Sequence, residues 1–91
     1  MPYEERARPH TLTLEERERM SVSGVEELVR FDEELIVVRT VRGELSIHGH
    51  ALVVDELDKT GGELRLSGEV DELIYAKGRE ERGRLWARLW G

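Results

Sequence analysis

The chain has 91 residues, of which 38% are apolar, 37% charged and 5% aromatic, with a formal charge of −6 and no cysteine. A chain of this length makes one domain that buries about 60 to 65% of its unfolded surface, so its core is thin and rests on Val, Leu and Ile. The missing Cys excludes disulfides, thiolate chemistry and Cys-based zinc sites, and the acidic balance argues against general nucleic-acid binding, which needs a basic footprint.

Residues 1–9 mix charge with Pro2 and Pro9, have no period, and are expected to be a flexible lead-in. No hydrophobic signal segment follows Met1, and the apolar runs from Leu35 to Val38 and from Ala51 to Val54 are far too short to cross a bilayer, so a cytoplasmic protein is expected. The β domain is placed at residues 10–76. It begins with a strand, His10 to Leu14, with Leu12 and Leu14 inward, followed by a charged connection from Glu15 to Arg19.

From Met20 onward the chain repeats one phrase three times. Met20-Ser21-Val22-Ser23-Gly24, Leu45-Ser46-Ile47-His48-Gly49 and Leu64-Arg65-Leu66-Ser67-Gly68 all read apolar, polar, apolar, polar, glycine. Side chains two apart share one face of a strand, so each copy predicts a strand buried on one side and ended by a residue free to bend. Val25 to Arg30 follows as a short strand, and Asp32-Glu33-Glu34 as a turn. Leu35 to Val38, four consecutive apolar β-formers, reads as a central strand covered on both faces. After Gly49 the inward phase moves from odd positions (Leu45, Ile47) to even ones (Leu52, Val54), which a bend explains. Asp58-Lys59-Thr60-Gly61-Gly62 is a hairpin loop by composition, and Val70 to Ala76 closes the sheet.

Residues 77–91 change period. Leu85, Trp86, Leu89 and Trp90 make one stripe of a short amphipathic helix flanked by Arg84 and Arg88. From Arg79 onward, four Arg against two Glu give +2, leaving −8 on the rest of the chain. Such a stripe suits a membrane interface, a groove on a partner, or the domain's own sheet; these six residues are the candidate contact with a partner or membrane.

The remaining polar side chains read as solvated. His48 and His50 have the spacing to share a metal ion with a carboxylate such as Asp55, but a wet face beside a bend accounts for both. The pairs Asp32-Glu33, Asp55-Glu56 and Asp71-Glu72 read as solvated acids, because so small a core has little material for a glycosidase-like cleft. Ser21, Ser23, Ser46 and Ser67 lack a nucleophile elbow and read as surface hydroxyls, and no glycine run cradles a phosphate. No catalytic, cofactor or metal residue is assigned.

The ordered set His10-x-Leu12-x-Leu14-Glu15-x-Arg17, Val22-x-Gly24-Val25, Phe31-Asp32, Val38-x-Thr40-x-x-Gly43-x-Leu45-x-Ile47-x-Gly49-x-x-Leu52, Leu57, Gly62-x-Leu64-x-Leu66-x-Gly68-x-Val70 and Leu73-x-Tyr75 resembles the YabP/YqfC family of sporulation proteins, without a gap. The basic and aromatic C-terminal segment is similar to that of the YabP branch. The resemblance implies a role in endospore formation, on the mother-cell side and peripheral to the forespore membrane, in a system whose neighbouring genes encode membrane proteins; it brings no catalytic residues. The chain departs from the family pattern at Glu16, where relatives favour Asn, and at His48 and His50.

The expectation is a non-enzymatic, all-β protein of about seven or eight short, mostly antiparallel strands, built as a sandwich or open barrel or, alternatively, as a β-roll or solenoid-like stack, with the C-terminal helix appended. It acts by binding at the spore envelope, as a homo-oligomer and with a membrane protein or membrane surface but no nucleic acid. The rivals are an adaptor that recruits a membrane-protein partner through the C-terminal helix, and a small carboxylate- or His-dependent enzyme.

Overall fold

The structure, a computed structural model, describes residues 9–76. They form six strands: β1 (Leu12–Glu15), β2 (Arg19–Val22), β3 (Val25–Phe31), β4 (Leu35–Thr40), β5 (Gly43–Asp58) and β6 (Glu63–Ala76). One sheet holds them all in the order β1-β2-β6-β5-β4-β3, and every neighbouring pair is antiparallel. The expected all-β class holds, whereas separate sandwich sheets and a solenoid-like stack do not. No helix occurs among the described residues, and the helix expected within residues 77–91 lies outside them, as does most of the expected lead-in.

The strand count differs from the expected seven or eight for one reason. Gly49 and Gly68 do not end strands; β5 runs through 16 residues and β6 through 14, paired along their length. The bend is absorbed by register shifts between His48 and Gly49, between His50 and Val53 and between Val54 and Glu56, with Ala51 at φ 54°. Bulges of this kind kink a strand while keeping it in the sheet. The phase change read at Gly49 is real, since Leu45, Ile47 and Leu52 are all buried and Val53 is exposed.

The two glycines permit the bend by close approach. A Cβ on Gly49 would overlap the Glu69 carbonyl oxygen, and one on Gly68, at φ +123°, would sit 2.5 Å from the Ala51 carbonyl oxygen. Each strand's backbone therefore fills the space a side chain would need on the other. Beyond this crossing the sheet has two halves. One combines β3, β4, the start of β5 and the end of β6; the other combines β1, β2, the end of β5 and the start of β6. After each of the three repeated phrases, the chain passes from one half toward the other.

Both halves send side chains into one core, in which Met20, Val22, Leu45, Ile47, Leu64 and Leu66 from the repeats join Val25, Ile36, Val38, Leu52 and Val70. Leu35 to Val38 is buried at every position, as expected of a strand covered on both faces. It is not central, however: β5 and β6 are the middle strands, and β4 lies next to the edge strand β3.

The turns follow their compositions. In the β3–β4 turn, Asp32 Oδ1 accepts the backbone N–H of Glu34 and of Leu35, both at 2.9 Å. The Glu34 N–H foremost, helped by Arg30, holds the Asp32 carboxyl below its ordinary value against a smaller opposing effect of desolvation. A lowered carboxyl contributes stability that is complete above its unfolded value and lost as pH falls through the folded one. Acid titration followed by circular dichroism should accordingly show a smaller low-pH loss of stability for Asp32→Asn than for wild type.

The β1–β2 turn is strained. Glu16 and Arg17 have φ of 56° and 55°, a left-handed pair that side chains other than Asn, Asp and Gly resist. It persists because the Arg17 carbonyl accepts the Val70 N–H at 2.9 Å and the Arg17 Nε donates to the Val70 carbonyl at 3.0 Å. Asn adopts this conformation more readily than Glu does. Glu16→Asn should stabilise the protein by about 1 kcal/mol in urea unfolding.

Candidate functional site

The residues assigned to partner or membrane contact, Arg84, Leu85, Trp86, Arg88, Leu89 and Trp90, lie outside the described residues. Among the described ones, three features carry polar or apolar chemistry at the surface, and each is positioned by the bend or by an edge.

The first is a cluster at the bend. The register shift after His48 leaves Asp71 as an extra residue on β6. There Asp71 meets Arg17, whose Nη2 donates to Oδ1 at 3.0 Å, and His50, whose Nδ1 lies 2.8 Å from Oδ2. His50 thus engages Asp71 and not Asp55, the carboxylate considered from the sequence. No group of three or more His, Asp or Glu side chains is arranged to hold a metal ion among the described residues. Beside this cluster an open groove of about 600 Å³ runs between residues 16–19 and 67–69. Its charged side chains are exposed, and Arg17 and Arg19 among them pair with Asp71 and Glu15, an arrangement that can bind charge but sets no nucleophile against a base among the described residues.

Other acids are similarly engaged. Glu56 accepts Arg65 at 3.2 Å, and Asp32 is committed to its turn. The serines differ from the expectation of surface hydroxyls. Ser46 is only 7% exposed, because its position between Leu45 and Ile47 faces the second side of the sheet, which is also covered there. Ser23 Oγ accepts the Thr11 N–H at 2.8 Å and donates to the Pro9 carbonyl at 2.9 Å, fastening the start of the domain.

The second feature joins the two ends of the β domain, at His10 and Tyr75. His10 Nδ1 lies 2.8 Å from the Ser23 carbonyl and must donate to it, so in the neutral ring Nε2 accepts from the Tyr75 hydroxyl at 2.6 Å. The two rings meet edge to face, with centroids 5.6 Å apart, and partial burial pushes the Tyr75 hydroxyl up from its ordinary value. Sequence reading missed this contact and Arg17–Asp71, because the partners are 65 and 54 residues apart and no local pattern links them.

The third feature is the edge strand β3. Its inner edge pairs with β4, while its outer edge has no strand partner among the described residues. Val29, in the bulge between Leu28 and Arg30, is 40% exposed, and Phe31 is 49% exposed. Apolar side chains along the edge of a sheet are what a further strand packs against when it adds to that sheet.

Comparison with known proteins bears on the whole of this surface. A family model described as the YabP family matches residues 6–82. Spore protein YabP of Bacillus subtilis (strain 168) is 35% identical over 66 residues, a match that takes in 72% of this chain and 66% of the relative. The matched segment contains the three repeated phrases, the bend and both edge strands, β1 and β3. The chain belongs to the YabP family.

Proposed function

We propose that the chain is a non-enzymatic sporulation protein, a binding or assembly component acting at the developing spore envelope. The spore role is supported by the family match and by the relative's name. The binding role is supported chiefly by the β3 edge, whose outer side has no strand partner among the described residues and which exposes Val29 and Phe31. Copies of the chain associate through this edge, most simply as a two-fold dimer. The C-terminal stripe of Leu85, Trp86, Leu89 and Trp90, with Arg84 and Arg88, contacts a membrane protein of the same system or the membrane surface itself. On this reading the protein works in the mother-cell cytoplasm, peripheral to the forespore membrane. The basic, aromatic composition of the stripe also favours an adaptor that recruits the membrane protein.

Gene replacement in the chain's own bacterium tests this reading. Deletion should lower the yield of resistant spores, and the wild-type gene should restore it. Variants His50→Ala and Asp71→Ala, which remove the groups best placed for chemistry, should restore it too, whereas Val29→Lys should not, because a charge on the edge blocks strand addition. Unchanged spore yield after deletion would refute the sporulation role. Loss of restoration by His50→Ala in a protein that still folds would favour an enzyme.

A further inference from the structure

The two halves of the sheet have different outer faces. On the half containing β1 and β2, the outer rows read Ser21, Arg65, Glu56 and Arg19, Ser67, Val53, mainly polar. On the half containing β4, they read Leu35, His48, Glu72, then Val37, Ser46, Ile74, then Arg39, Glu44, Ala76. That second face is apolar through its centre. Leu35, Val37, Ser46 and Ala76 are only 1 to 7% exposed, within a single copy of the chain. The core cluster includes none of them, so their burial requires a cover that the interior does not supply.

We propose that this face is the seat of the chain's own C-terminal segment, residues 77–91. That segment follows directly from Ala76, which already lies in the face. Its four apolar side chains, Leu85, Trp86, Leu89 and Trp90, form a stripe of the kind that an apolar strip of sheet takes. As a helix, fifteen residues reach about 22 Å, enough to cross the roughly 14 Å spanned by β6, β5, β4 and β3. Charge also matches, because the segment is net positive, the rest of the chain is acidic, and Glu72 and Glu44 lie in the face. The described start of the chain lies on the other side of the sheet: His10 bonds Tyr75, and Tyr75 pairs across from the core residue Leu45. A segment seated here hides the stripe, so an external target must displace it from the sheet.

The full-length protein tests the seat directly, since Trp86 and Trp90 are the chain's two tryptophans and it has no cysteine. Their emission should be blue-shifted and shielded from acrylamide, and unchanged on dilution. A nitroxide, which quenches tryptophan only near contact, should quench strongly when attached to Glu72→Cys on this face and weakly when attached to Arg65→Cys on the other. Ile74→Lys should release the segment, shifting emission to the red while the β signal in circular dichroism is kept. Should that variant fail to fold, the nitroxide pair still decides. Red, freely quenched emission from wild type would overturn the seat, as would equal quenching from both labels. Shielding that appears only as concentration rises would assign the face to a second copy and equally overturn it.

Discussion

Gly49→Ala should destabilise the protein by about 3 kcal/mol or more, an effect far beyond the usual cost of one methyl group. The added carbon would overlap the Glu69 carbonyl oxygen, a backbone atom, and would come within 3.1 Å of Leu52 Cδ2. Neither can yield cheaply, because Glu69 is held in β6 opposite His50, and Leu52 is a core residue only 1% exposed. Gly61→Ala is the control. Its Cβ would meet the Asp58 carboxylate at 2.7 Å, a side chain on an exposed loop that can turn away, so the loss there should stay below about 1 kcal/mol. Urea unfolding of the two variants checks the contrast, and equal losses would mean that the strands do not cross closely at Gly49.

Leu66→Asp should leave no folded protein at all. Leu66 is 1% exposed and shares the core with Met20, Leu45, Ile47 and Leu64. Burying a carboxylate there without a partner costs several kcal/mol, against a total stability of about 5 to 15 kcal/mol for a small domain. The paired control, Ser67→Ala, changes a half-buried hydroxyl on the opposite side of the strand and should shift stability by less than about 0.5 kcal/mol. Ser46→Ala is not an equivalent control, since Ser46 lies on the covered second face. Circular dichroism and thermal melting of Leu66→Asp distinguish the outcomes, and a wild-type melt would mean that the inward face is assigned wrongly.

The repeated phrase made the core legible. Alternation at Met20/Val22, Leu45/Ile47 and Leu64/Leu66 named six residues that meet in one cluster, because a period of two leaves no choice of which side is buried. What the same phrase concealed is that β5 and β6 continue past their glycines. A glycine that stops a strand and one that lets two backbones approach look alike in sequence, and only the cross-strand neighbour, Glu69 for Gly49 and Ala51 for Gly68, tells them apart. The four-residue apolar run of β4 showed correctly that both faces are covered but not that the strand lies beside an edge, since burial follows the cover and not the place in the order.

The polar surface was less legible. Spacing put His48 and His50 together and left Asp71 among the solvated acids, whereas the bulge brings Asp71 to both His50 and Arg17. Which acid a histidine meets depends on register, and register at a bulge is not written in local spacing. Ser46 departs from its sequence pattern for a related reason: a polar residue in an alternating strand marks the outer face, but whether water reaches that face depends on what else lies over it.

The central functional claim is that the protein works by association through its open edge. Light scattering coupled to size-exclusion chromatography, over a concentration series up to high micromolar, measures this most directly. Wild type should elute with the mass of a dimer or larger closed assembly, and Val29→Lys, folded by circular dichroism, should elute as a monomer of about 10.5 kDa. A wild-type mass of one chain across the whole series would contradict the claim.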